Sequence, residues 1–107
     1  MYGVIFEVEI AEGKKDEYLD IAAKLKEQLV QMPGFLSIER FQSLVNEGKL
    51  LSLSFWEDEK SLINWKKNFD HMAAQKKGRE SIFKDYRIRI VDVKRDYTLE
   101  TSILSKG

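Results

Sequence analysis

The spacing of apolar residues along this chain switches between two and about 3.6, and the order of those switches constrains the fold more than any other feature. Tyr2, Val4, Phe6, Val8 and Ile10 fall on one face of a strand, with Gly3, Glu7, Glu9 and the odd apolar Ile5 on the other, until Ala11-Glu12-Gly13 ends it. Over residues 14–32, Tyr18, Ile21, Ala22, Leu25, Leu29 and Met32 recur at three- and four-residue steps, which predicts an amphipathic helix stopped by Pro33-Gly34. Residues 35–44 and 49–56 predict two strands joined at Asn46-Glu47-Gly48, a hairpin-type turn. Asp58, among Glu57 and Glu59, suits a helix N-cap; Leu62, Trp65, Phe69, Met72 and Ala73 then trace a helical face. Gly78 predicts a break, with a second short helical piece around residues 70–83. A fourth strand is expected over residues 86–95, with a bulge near Ile90-Val91 where the apolar phase changes.

The order is therefore strand, helix, strand, strand, helix, strand. It predicts an α+β, ferredoxin-like β-α-β-β-α-β fold with an antiparallel four-stranded sheet and both helices on one face. The face away from the helices is expected to carry Ile5, Leu50 and Trp56, opposite to Leu51, Leu53 and Phe55. An apolar sheet face needs cover, and a homodimer through that face supplies it. The domain is expected to span residues 1–97. A C-terminal tail follows over residues 98–107, whose Leu99, Ile103 and Leu104 could dock on a partner subunit.

Composition narrows the function classes. A chain of 107 residues makes one domain with a single modest core. Its 18 basic and 18 acidic side chains cancel, which argues against a nucleic-acid or anionic-membrane partner. Cysteine is absent, so thiolate metal sites, disulfides and a cysteine nucleophile are excluded. One histidine and scattered carboxylates form no metal-ligand cluster. No run is long and apolar enough for a membrane helix and no secretory signal is visible, so a cytoplasmic location is expected.

Chemistry concentrates between Ser52 and Arg79. Trp65, in register with Leu62 and Phe69, is either plain core or the wall of a pocket that stacks on a flat ligand. Asn64, Asn68, His71, Gln75 and Arg79 form one polar stripe if the helix is continuous, either a solvated face or a row of hydrogen-bonding groups at a pocket rim. His71 titrates nearest neutrality and is the candidate proton acceptor. Arg79, Arg87 and Arg89 could stabilise an anionic substrate, or Arg87 and Arg89 could mark a solvated strand face. Trp56 could be core, dimer contact or pocket mouth.

The run Ser54-Phe55-Trp56-Glu57-Asp58-Glu59, followed by Trp65, His71, Ala74-Gln75 and Gly78-Arg79, resembles the antibiotic biosynthesis monooxygenase family. Pro33-Gly34-Phe35 and Asp85-Tyr86-Arg87 resemble it as well, so the likeness covers residues 2–97. The resemblance implies a homodimeric α/β barrel with a small apolar pocket between the sheet and the second helix. It implies oxygenation of aromatic substrates in some relatives with molecular oxygen as co-substrate and no metal, flavin or haem, and haem cleavage in others. The haem-cleaving pattern is met at Trp65 but not at Gln75, where a haem-ligating histidine would stand, nor at Phe6, where an asparagine would. The expectation is thus a cofactor-free monooxygenase acting on a phenol- or quinol-like substrate, with His71 catalytic and Trp65, Asn64, Phe69, Gln75 and Arg79 binding substrate. The alternatives are a non-catalytic dimer that binds a small hydrophobic metabolite in a stress response and, third, a haem-degrading enzyme.

Overall fold

A computed structural model describes residues 1–77 and 82–104, and the side chains of residues 1–70 and 82–102. The elements run β1 (Tyr2–Ile10), α1 (Lys15–Leu29), β2 (Phe35–Gln42), β3 (Lys49–Trp56), α2 (Glu59–Lys77), β4 (Phe83–Asp92) and α3 (Leu99–Leu104). The four strands form one antiparallel sheet in the order β2-β3-β1-β4. This is the ferredoxin-like α+β fold that the order of apolar periods predicts.

Cross-strand partners share a face, so the register decides which side chains meet the helices. In β1 and β3 the pairs are Tyr2 with Trp56, Val4 with Ser54, Phe6 with Ser52 and Val8 with Leu50. Since Val4, Phe6 and Val8 are core, Leu50, Ser52, Ser54 and Trp56 are core-facing too, and all four are buried. The expectation for β3 was the reverse. Leu51, Leu53 and Phe55, paired with Glu7, Ile5 and Gly3, lie half-buried on the open face instead. Trp56, fully buried at 0% exposure, packs edge to face on Phe35 and donates from Nε1 to Ser54 Oγ at 3.0 Å. It is core, neither a pocket mouth nor a contact on the open face.

Two other expectations are corrected. The β1–β4 ladder runs without interruption from Tyr2–Asp92 to Glu9–Asp85, and its register shift falls at Glu9/Ile10, not at Ile90-Val91. Val91 simply continues the open face opposite Gly3. The second helical piece expected around residues 70–83 does not begin separately, because α2 is continuous to Lys77; Gly78, where the break was expected, lies outside the described residues. A shift between Phe35 and Ser37 is a bulge that puts Phe35, Ile38 and Arg40 on the helix side of β2, which hides its alternation. The tail carries the short helix α3, from which Leu99 projects into solvent.

The two segments that frame the core are pinned at one point. Asp58 caps α2, its Oδ1 accepting the Ser61 N–H at 2.9 Å. The Ser61 hydroxyl donates to the Pro33 carbonyl at 2.7 Å, and Glu57 N–H donates to the Gly34 carbonyl at 2.7 Å. The turn that ends α1 is thereby fastened to the start of α2. Among the described residues no helix is long and apolar enough to cross a membrane.

Candidate functional site

Trp65 and Phe69 project from α2 into the layer between helices and sheet, 4% and 2% exposed. Their rings stack, with centroids 5.7 Å apart and planes 11° from parallel. Phe69 also meets Phe6 on β1 at 5.0 Å, and Tyr86 and Phe83 on β4 at 5.5 and 6.3 Å. Aromatic side chains on α2, β1 and β4 therefore converge on Phe69. Offset and edge-to-face geometry lets the positive ring edges approach the negative ring faces.

These rings form one side of a small cavity, about 30 Å³, closed on the other side by α1 and β2. Trp65, Phe69, Phe6 and Phe83 give it an aromatic wall; Tyr18, Arg40 and Ser52 are its polar lining. Arg40 Nη2 donates to the Ala22 carbonyl of α1 at 3.1 Å. Its Nε is buried and meets no hydrogen-bond partner. Burial pushes the Tyr18 hydroxyl above its ordinary pKa of 10.0, partly offset by the neighbouring Arg40 charge and hydrogen bond, so the phenol is protonated at neutral pH. The space is that of a single water molecule, far below the roughly 300 Å³ of an ordinary ligand site. A ring can enter only if the surrounding side chains give way.

The residues singled out from sequence divide accordingly. Trp65 and Phe69 line the cavity. Asn64 and Asn68 are exposed, turned away from it. His71 and Gln75 belong to α2, which makes the polar stripe continuous in backbone, but their side chains lie outside the described residues, as does Arg79 altogether. Arg87 and Arg89 sit on the open face, beside Glu7 and Ile5, with Arg89 Nη1 3.1 Å from Glu7 Oε2. They are on the opposite side of the sheet from the cavity. Arg40, Tyr18 and Phe83 were not singled out. Tyr18 reads as one more apolar position of a helical stripe, and the β2 bulge conceals which face Arg40 takes. Among the described residues no three His, Cys, Asp or Glu side chains are grouped to hold a metal ion.

The sequence and the fold match known proteins. The sequence profile of the antibiotic biosynthesis monooxygenase family matches residues 1–77, and the chain belongs to that family. It is 43% identical over 93 residues to the jasmonate monooxygenase ABM of Pyricularia oryzae, covering 87% of this chain but 43% of that relative's length. A conserved protein from Methanosarcina mazei has the same fold, with a TM-score of 0.74 and 22% identity over 87% of this chain and 92% of that one. So does SnoaB, a cofactor-independent oxygenase from Streptomyces nogalater, with a TM-score of 0.73 and 9% identity over 89% and 94% of the two chains.

Proposed function

We propose that the chain is a cofactor-free monooxygenase, working in the cytoplasm as a homodimer joined through the open sheet face, and that the Trp65–Phe69 cavity is where a small apolar substrate meets oxygen. The observation that carries the reading is the buried, stacked Trp65–Phe69 pair lining a cavity between sheet and helices. It is supported by membership of the family and by the 43% identity to a jasmonate monooxygenase.

Without a cofactor, the substrate itself supplies the electrons. Loss of a proton from a phenol or enol makes an anion that can reduce oxygen; one oxygen atom stays on the carbon skeleton as a carbonyl, and the other leaves as water with two hydrogens of the substrate, which thereby supplies all four electrons. The protein's part is to hold a flat molecule against Trp65, to keep water away from the reactive anion, and to accept its proton. His71 is the proposed acceptor, with Asn64, Gln75 and Arg79 as polar groups nearby on the sequence.

The reading is tested by incubating the purified protein with jasmonate and, separately, with phenols and quinols under oxygen, and following products by mass spectrometry. A product that has gained one oxygen and lost two hydrogens, formed faster than in buffer and lost in Trp65→Ala, is expected. Loss of activity in a folded His71→Ala variant would support the assignment of the base. Saturable binding with no turnover would make the chain a carrier or sensor of the same ligands.

A further inference from the structure

We propose that the polar end of this cavity is an anion subsite, where the Arg40 guanidinium receives the carboxylate of a small apolar acid. The inference rests on the preceding reading of the cavity as the ligand site and names the class of molecule it takes.

Arg40 is an unusual residue to find on the core side of a sheet. Its neighbours along that face of β2 are Ile38 on one side, with Phe35 beyond it, and Gln42 on the other. As a whole it is half-buried, yet its Nε is sequestered and has no hydrogen-bond partner. Its Nη2 is committed to a neutral acceptor, the Ala22 carbonyl. The other polar group close to it, Tyr18, is a protonated phenol that carries no compensating charge. Among the described residues no carboxylate forms an ion pair with Arg40.

A buried N–H donor without an acceptor is unfavourable, because burial removes its hydrogen bond to water without replacing it. An apolar residue of similar length would fill the same space, so packing does not require a guanidinium there. Arg40 lines the cavity of about 30 Å³, and its Nε, sealed from solvent, keeps an unused N–H. That space holds about one water molecule, so a carboxylate, like a ring, enters only as the surrounding side chains give way. The aromatic half of the lining, Trp65, Phe69 and Phe6, shares the cavity with the polar half, Arg40, Tyr18 and Ser52. A molecule with a carboxylate at one end and a flat or cyclic hydrocarbon body at the other matches both halves. A carboxylate also gains a charge-assisted hydrogen bond that its neutral ester cannot make.

The test compares 2-naphthoate with methyl 2-naphthoate by isothermal titration at neutral pH. Wild-type protein should bind the acid about ten- to a hundredfold more tightly than the ester, the range of a hydrogen bond to a charged group. Arg40→Met should remove that preference by weakening the acid more than the ester, and melt within a few degrees of wild type. Arg40→Lys, which keeps the charge, should retain part of the preference and serves as the arbiter if the methionine variant does not fold. Equal affinity for acid and ester in the wild type, or a preference that survives in Arg40→Met, would overturn the subsite while leaving the cavity a ligand site. Binding of neither compound would overturn the cavity reading and the subsite with it.

Discussion

Phe69 sits one helical turn after Trp65, and their rings lie 11° from parallel with centroids 5.7 Å apart, so two residues that line the cavity hold each other in place. The two have different duties despite similar burial. Phe69 touches Phe6, Phe83 and Tyr86 as well as Trp65. Phe69→Ala should therefore cost about 3–5 kcal/mol in urea denaturation, the usual range for deleting a buried ring. Trp65→Phe keeps a ring on Phe69 and should cost less than about 1.5 kcal/mol. If Trp65 walls the ligand site, the same variant should weaken binding of a flat ligand while stability barely moves.

The Gly34–Ser61 contact predicts a coupled pair. Gly34 has φ +84, and a Cβ built there would collide with the Ser61 hydroxyl oxygen. Gly34→Ala should destabilise by roughly 2 kcal/mol or more, from the left-handed backbone and the collision together. Ser61→Ala removes a buried hydroxyl that donates to Pro33 and should cost about 1 kcal/mol. The oxygen lost in the second variant is the one the first would strike. The double variant should therefore be less destabilised than the sum, a deviation that a double-mutant cycle in urea measures.

The same corner sets an acid dependence. The Ser61 backbone N–H, and then its hydroxyl, lower the Asp58 pKa from its ordinary 3.8. A carboxylate whose folded pKa is lowered stabilises fully above its unfolded value and loses that contribution as pH falls through the folded one. Wild type should thus exceed Asp58→Ala in melting temperature at neutral pH, and the gap should close only below about pH 4, the unperturbed aspartate range. A gap that is constant down to pH 2 would show that the charge is not what Asp58 contributes.

How much of this the sequence discloses depends on where local pattern and long-range pairing agree. In β1, Val4, Phe6 and Val8 alternate with Gly3, Ile5, Glu7 and Glu9, a mostly polar opposite face with one apolar exception, and both element and face are legible. In β3, apolar residues occupy both phases, and Leu51, Leu53 and Phe55 look more like a core stripe than Leu50, Ser52, Ser54 and Trp56 do. Only pairing of Trp56 with Tyr2 and of Ser54 with Val4 assigns the face. Two serines are tolerated beneath the helices partly because Ser54 accepts from Trp56, an interaction that alternation cannot foretell. Trp65 and Phe69 are legible because helical spacing with Leu62 fixes their face. Arg40 is hidden because one bulge between Phe35 and Ser37 inverts the phase of β2.

The corrected face of β3 also changes which residues a dimer would use. The open side of the sheet carries Leu51, Leu53 and Phe55 from β3, Ile5 from β1 and Val91 from β4, an apolar strip running across strands. Trp56 and Leu50, expected there from sequence, are buried on the other side. A homodimer closing over this face would bury Leu53 and Phe55 near its centre, where truncation or charge typically costs 2 kcal/mol or more of binding. Leu53→Glu should accordingly raise the dimer dissociation constant by roughly 30-fold or more in sedimentation equilibrium. The fold should survive, because in the monomer this side chain already borders solvent, and an unchanged far-ultraviolet circular dichroism spectrum checks that. Trp56→Phe, altered on the helix side alone, should lower stability and leave the dissociation constant where it was. The reverse pattern, with Leu53→Glu still dimeric, would place the subunit contact on another surface.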